Sequence, residues 1–292
     1  MGQVEMGDTE VVIEEKKVSV SSVVALGQGF FDFLRFLRQR KYLIVEMAKR
    51  DLSDQHIGSV FGVLWTFVHP IVMVFILWLV FSVGFKVAPA TGVPFVVWLM
   101  SGMGIWLTFG DVLNRSTTAV VSNPHLVKKL QFAVSVLPVV KLAGALVLHV
   151  VFLGVLILLI LLYDLPVRLY WLQVIYYFFA MSVLLVGLSW ITSSVHVFFG
   201  DTAQFVQIFL QVGFWGTPIF WDLSIMPENI RFFFKLNPMF YIVQGYRESF
   251  LYSIPFWDHW LLTAYYWLVA LGVFGVGAWI FRRLRPHFAD VV

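Results

Sequence analysis

The sequence predicts an all-α integral membrane protein: six transmembrane helices, an N-terminal amphipathic interface helix, and re-entrant helices between spans five and six. Three observations carry this. Of 292 residues, 60% are hydrophobic and 13% charged, with a mean hydropathy of +0.86, whereas a soluble domain carries about 25% charge. Six apolar runs, of 17 to 27 residues, match the about 20 residues a helix needs to cross hydrocarbon. The fifth is broken by Gly213, Gly216 and Pro218, and the segment after it is too apolar for a loop and too polar to span.

The first 29 residues include Glu5, Asp8, Glu10, Glu14 and Glu15, with no apolar core ending at a small-residue cleavage site. They read as a flexible cytoplasmic tail, leaving residues 30–292 as the membrane domain. In Phe30–Tyr42, Phe30, Phe33, Leu34 and Leu37 share one helical face, while Arg35, Arg38, Arg40 and Lys41 supply charge. That pattern suits a helix lying in an anionic leaflet.

The expected spans are Phe61–Phe85, Phe95–Leu113, Leu137–Tyr163, Leu172–Phe198, Phe205–Trp221 and Trp260–Phe281. Continuous apolar runs are helical; barrel strands alternate over about ten residues. Of 20 Lys and Arg, two lie in the tail, and only Lys86, Arg168, Arg231, Lys235 and Arg247 fall on the side away from the termini. The remaining thirteen put both termini in the cytoplasm.

Gly and Pro weaken the fifth run, and backbone groups freed at membrane depth need partners in protein or water. Leu223–Asp258 mixes Phe232, Phe233, Phe234, Phe240 and Tyr241 with charged residues and is punctuated by Pro227, Pro238 and Pro255. Two short helices dipping into the outer leaflet fit it. Ionisable groups within the spans are His69, Asp111, His149 and His196, candidates either for function or for a satisfied structural role. Asp111 stands four residues before Arg115, the spacing of a local ion pair. His149, mid-span, is the least explained.

A net charge of +3 excludes a nucleic-acid binder, and the absence of cysteine excludes disulfides, thiolate zinc and cysteine nucleophiles. Neither a phosphate-cradling Gly-rich loop with Lys-Ser/Thr nor His-Glu-x-x-His, an EF-hand or Gly-x-Ser-x-Gly occurs. Catalysis by this chain, and a bound metal, are not expected. Between spans two and three, Ser122-Asn123-Pro124 is set to start a short helix capped by Ser or Asn. His125, Leu126, Lys128, Lys129, Leu130 and Phe132 follow, a combination suited to a groove on a soluble partner.

Three stretches carry a resemblance. They are Arg50-Asp51-Leu52 with Ser59 to Trp65 and Pro70; Asn123 to Lys129 with Phe132 and Leu137-Pro138; and Thr217 to Trp221 with Met226-Pro227-Glu228, Asn237-Pro238 and Tyr246-Arg247. From Phe30 onward the chain resembles the membrane subunits of ATP-binding-cassette exporters of bacterial surface polysaccharides (O-antigen, capsule and teichoic acid permeases). It departs from their pattern at Phe132-Ala133-Val134-Ser135, where Phe-Pro-x-Glu is common.

The resemblance implies a homodimer in the bacterial cytoplasmic membrane, bound to two copies of a separate ATPase that holds ATP and Mg²⁺, with no cofactor on this chain. His125, Leu126, Lys128, Lys129 and Phe132 would couple to the ATPase. Pro218, Pro227, Arg231, Pro238, Tyr246 and Arg247 would form an outer gate. The cargo would be a polyprenyl-diphosphate-linked glycan, O-antigen first, teichoic acid or capsule second. For it, Trp65, Phe205, Phe209, Phe214, Trp215, Phe220 and Trp221 are expected to line the channel, and Lys49, Arg50 and Arg115 to meet the lipid diphosphate. A membrane-embedded enzyme of glycan assembly is the alternative of another class.

Overall fold

The computed structural model describes residues 32–54, 62–86, 92–128 and 132–292. The tail, Phe30, Phe61 and Lys129 lie outside the described residues, as does the side chain of His69. The described residues contain helices and turns and no strand. Two compact units divide the chain, residues 1–46 and 47–292. In the first, residues 32–39 are helical, with Phe33, Leu34, Phe36 and Leu37 half-buried and Asp32, Arg35 and Arg38 exposed. Helix α1 (Lys41–Asp54) follows.

In the second unit, α2 (Trp65–Trp78) contains Pro70 and widens into a π-helical turn, Leu79–Gly84. Helices α3 (Phe95–Thr117), α5 (Leu137–Leu162), α6 (Gln173–Phe198) and α10 (Trp260–Leu284) form the bundle; the short α4 (Pro124–Val127) joins α3 to α5. With their lead-in turns, four helices are long and apolar enough to cross a membrane: 95–117, 134–162, 169–198 and 256–291. The first and fifth expected spans are shorter. Helix α7 (Thr202–Gly216) has 15 residues, about 22 Å at 1.5 Å per residue, against a hydrocarbon layer of roughly 30 Å.

Helix α3 is the centre, buried over most of its surface against α5, α6, α7 and the later α9 (Pro238–Arg247). Helices α5 and α10 bury one face each, which leaves apolar faces outward, as lipid requires. Hydrophobicity alone does not hold helices together in lipid; close packing does, and small residues permit it. The most extensive pairing, α6 with α10, is of this kind. A Cβ built on Gly277 would lie 2.3 Å from the Gly187 carbonyl oxygen, and one on Gly187 2.7 Å from Phe274 Cα. Gly277→Leu therefore forces the two backbones apart, at a cost of about 1–3 kcal/mol or more. The expected result is a lower thermal midpoint in detergent than for Ala278→Leu, one position along the same helix; equal midpoints would refute the contact.

The last turns close one end of the bundle. Helix α11 (Phe288–Val291) buries Phe288 against Phe198 and Phe281, ring centroids 6.2 and 5.5 Å away. The Arg285 guanidinium donates to the Phe132 carbonyl at 3.4 Å, tying the C-terminus to the loop that carries α4.

Candidate functional site

Helix α7 stops where the sequence loses helical support. Thr217 takes an extended backbone, and its N–H bonds the Gly213 carbonyl at 2.8 Å. The next carbonyls leave the helical ladder, and a single side chain meets them. Arg247, at the end of α9, donates from Nη1 to Pro218 O at 2.7 Å and from Nη2 to Ile219 O at 2.5 Å. It is 2% exposed, and Trp98 of α3 lies against its guanidinium, 3.5 Å from Cζ to ring centroid. Carbonyl dipoles and an aromatic face thus stabilise a cation that would otherwise be costly to bury.

The turns beyond are built the same way. Arg231, on α8 (Glu228–Lys235), donates from Nε to Met226 O and from Nη2 to Ser224 O, both at 2.8 Å. Asn237 caps α9 by accepting from Met239 N–H at 3.0 Å, and its Nδ2 donates to Thr217 Oγ1 at 2.8 Å. Pro238 sits at the start of that helix, where a missing N–H costs nothing. Pro227 stands one place earlier relative to α8, as its N-terminal capping residue.

Tyr246 and His149 meet. The Tyr246 hydroxyl is 3.0 Å from His149 Nε2, and Nδ1 is 3.2 Å from Thr108 Oγ1. Thr108 donates its one proton to the Gly104 carbonyl at 2.8 Å, so its oxygen must accept from Nδ1–H. Nε2 then accepts from Tyr246. A neutral imidazole satisfies every group, and His149 is a structural link between α3, α5 and α9. Two positions on, Glu248 is buried, and its Oε1 lies 3.1 Å from Gln244 Nε2 and 3.2 Å from His259 Nε2.

The aromatic residues expected in the channel divide in two. Phe205 is 71% exposed and Trp215 58%, and Phe209, one turn after Phe205, is exposed as well. Trp65 is exposed on α2. Phe214 and Phe220 turn inward instead, buried against Trp106 and Phe81 at centroid separations of 6.4 and 5.2 Å; they support the exposed face rather than form it. Trp221 is half-buried and donates to the Trp215 carbonyl at 3.2 Å. Gln204, Gln207 and Gln211 are exposed on α7 too, spaced to form one stripe that adjoins Trp215.

At the other end, Asp51 of α1 is paired with Lys141 and lies 3.6 Å from Arg115, which in turn lies 3.3 Å from Asp111. Arg115 also donates to the Lys141 carbonyl at 3.0 Å. The expected Asp111–Arg115 pair is present inside a balanced cluster of two cations and two carboxylates. Arg115 is held within this cluster, and Lys49 and Arg50 are exposed on α1. In the 122–136 loop His125 and Lys128 are exposed and Leu126 and Phe132 half-buried. The expected side-chain cap on α4 is absent. Asn123 donates its Nδ2 back to Ala119 O at 2.9 Å, and its backbone carbonyl accepts from Leu126 and Val127.

Residues 42–251, well over half of the chain, match the ABC-2 type transporter family. The chain belongs to that family. Two proteins of Klebsiella pneumoniae named O-antigen export system permease protein RfbA are 25% and 24% identical over 260 residues, covering 86% of this chain and 95% of each relative. A Myxococcus xanthus protein of the same name is 26% identical over 271 residues, covering 89% and 98%. As an ABC-2 family member the chain is a multi-pass membrane transport subunit, not an enzyme, and the glycan-assembly alternative falls away.

For this ABC-2 chain, sequence reasoning found Arg247, Tyr246 and the break in α7, and missed four of their neighbours. Trp98 and Thr108 lay in an unbroken apolar run, and Gln244 and His259 in a segment treated as a whole. The glutamines of α7 were legible in the sequence: three in 15 residues of a membrane helix is a signal in itself.

Proposed function

We propose that this chain is the permease subunit of an ATP-driven exporter that carries a polyprenyl-diphosphate-linked polysaccharide of the O-antigen kind across the bacterial cytoplasmic membrane. It works as a homodimer with two copies of a separate ATPase, which holds ATP and Mg²⁺. Both termini and the 122–136 loop face the cytoplasm, and the 217–259 segment re-enters the membrane from outside. Helices α2 and α7 complete six spans with help from that segment.

The observation that carries the reading is the exposed surface of α7, where Gln204, Gln207 and Gln211 form a polar stripe that runs up to Trp215, with Phe205 and Phe209 exposed on the flank. Lipid is a poor neighbour for three amides, each costly to leave unsatisfied in hydrocarbon. A sugar chain is a good one. Amides exchange hydrogen bonds with hydroxyls, rings lie against C–H faces, and neither grips strongly enough to stop conduction. The names of the relatives point to the same cargo.

Lys49 and Arg50 receive the lipid diphosphate, with Arg115 behind them holding Asp51 in place. His125, Leu126, Lys128, Lys129 and Phe132 contact the ATPase. Pro218, Pro227, Arg231, Pro238, Tyr246 and Arg247 shape the outer gate. The test is proteoliposomes containing this chain and its ATPase, supplied with lipid-linked O-antigen. ATP-dependent transfer is expected, and none without the ATPase; transfer by the chain alone would overturn the reading. In the same vesicles Arg50→Ala is expected to raise the half-saturating concentration of lipid-linked glycan about tenfold, the loss of one charge-assisted contact. An unchanged value would remove Arg50 from the entrance.

A further inference from the structure

Beside Arg247, past the broken end of α7, lies a cavity of about 270 Å³. Its wall includes Trp98 from α3, Gln244 and Arg247 from α9, Glu248 just after it, and His259 ahead of α10. That volume, roughly nine waters at about 30 Å³ each, has room for one pyranose ring with its hydroxyls. We propose that this cavity binds one neutral saccharide unit of the exported glycan as it leaves; the assignment rests on the export reading above.

Three features select that chemistry. The charges are nearly balanced, with Arg247 and Lys235 facing Asp222 and Glu248, so neither a phosphate nor a metal cation is favoured. Unspent hydrogen-bonding capacity of both signs remains at buried positions. Both bonds to Glu248 fall on Oε1, which leaves Oε2 as an acceptor. Arg247 Nε is a buried donor with no partner among the described residues. Buried groups left this way cost free energy unless something completes them, and vicinal hydroxyls, each both donor and acceptor, are suited to do so. Lastly, Phe240 and Tyr252 add aromatic walls beside the polar groups, the mixture that sugar rings with apolar and hydroxylated faces require.

The chain has no cysteine, which allows a direct test. Leu223 lines the cavity, so Leu223→Cys in the complete complex with its ATPase, held in nanodiscs, provides one site on this chain for a methanethiosulfonate reagent, read by the mass of the chain. Two arms are compared. In the resting complex, neutral monosaccharides released by hydrolysis of the native surface glycan are added at millimolar concentration; in the other, ATP and lipid-linked glycan are added. At least a threefold slowing of labelling is expected in both, lost in Gln244→Ala and in the shape-conserving Glu248→Gln. No slowing in either arm, slowing that survives both substitutions, or slowing by inorganic phosphate but not sugars would overturn the proposal. Slowing by free sugars without slowing during turnover would overturn the assignment to the exported chain. Export by the Leu223→Cys complex, measured in parallel vesicles, separates failure of this cavity from failure of the export reading.

Discussion

Arg247→Ala will abolish export and destabilise the fold. The substitution strips donors from two buried carbonyls, Pro218 O and Ile219 O, at about 1–3 kcal/mol each, and empties the space over Trp98. Loss of roughly 2–6 kcal/mol is a large part of a typical stability, so a sharply lower thermal midpoint and poor recovery of assembled complex are expected. Arg247→Lys will recover only part of this, because an ammonium is a point charge and cannot bracket two oxygens as a planar fork does. A lysine variant as stable as wild type would show that charge alone, not the paired geometry, holds the broken end of α7. An alanine variant with normal midpoint and normal export would remove Arg247 from the gate altogether.

The second large effect concerns function without folding. Replacing Gln204, Gln207 and Gln211 together by leucine keeps volume and helix propensity and touches no buried contact, since all three are exposed. The triple variant is expected to insert and assemble normally, and to bind its ATPase. Its ATP-dependent glycan transfer in proteoliposomes is expected to fall about a hundredfold. Each amide lost removes a hydrogen bond of about 0.5–1.5 kcal/mol from the moving hydroxyls, and three such losses together correspond to a factor of that order. If transfer persists, the face meets lipid or the second subunit, and the conduit lies elsewhere.

The extent to which the sequence disclosed this arrangement follows from physical range. Helices α3, α5, α6 and α10 are continuous apolar runs, and a bilayer leaves such runs little choice but to be helices. The end of α7 was visible in Gly213, Gly216 and Pro218, because those residues act locally. Which ring faces which way was not. Phe214 and Trp215 are adjacent in sequence, yet one is buried on Trp106 and the other exposed; in a helix apolar on most sides, periodicity gives no vector. Long-range polar links were equally hidden. Asp51 and Lys141 stand 90 positions apart and His149 and Tyr246 stand 97 apart, so only the packed bundle shows that they meet. The pairing of Asp111 with Arg115 was readable because one helical turn separates them.

The contact between Gly187 and Gly277 has a mechanical corollary. With main chain touching main chain, α6 and α10 cannot shear past one another without first separating, so they move as one plank. Whatever deformation admits a bulky polymer must be borne by the thinner, less anchored struts, α2 with its proline and widened turn and α7 with its ruptured end.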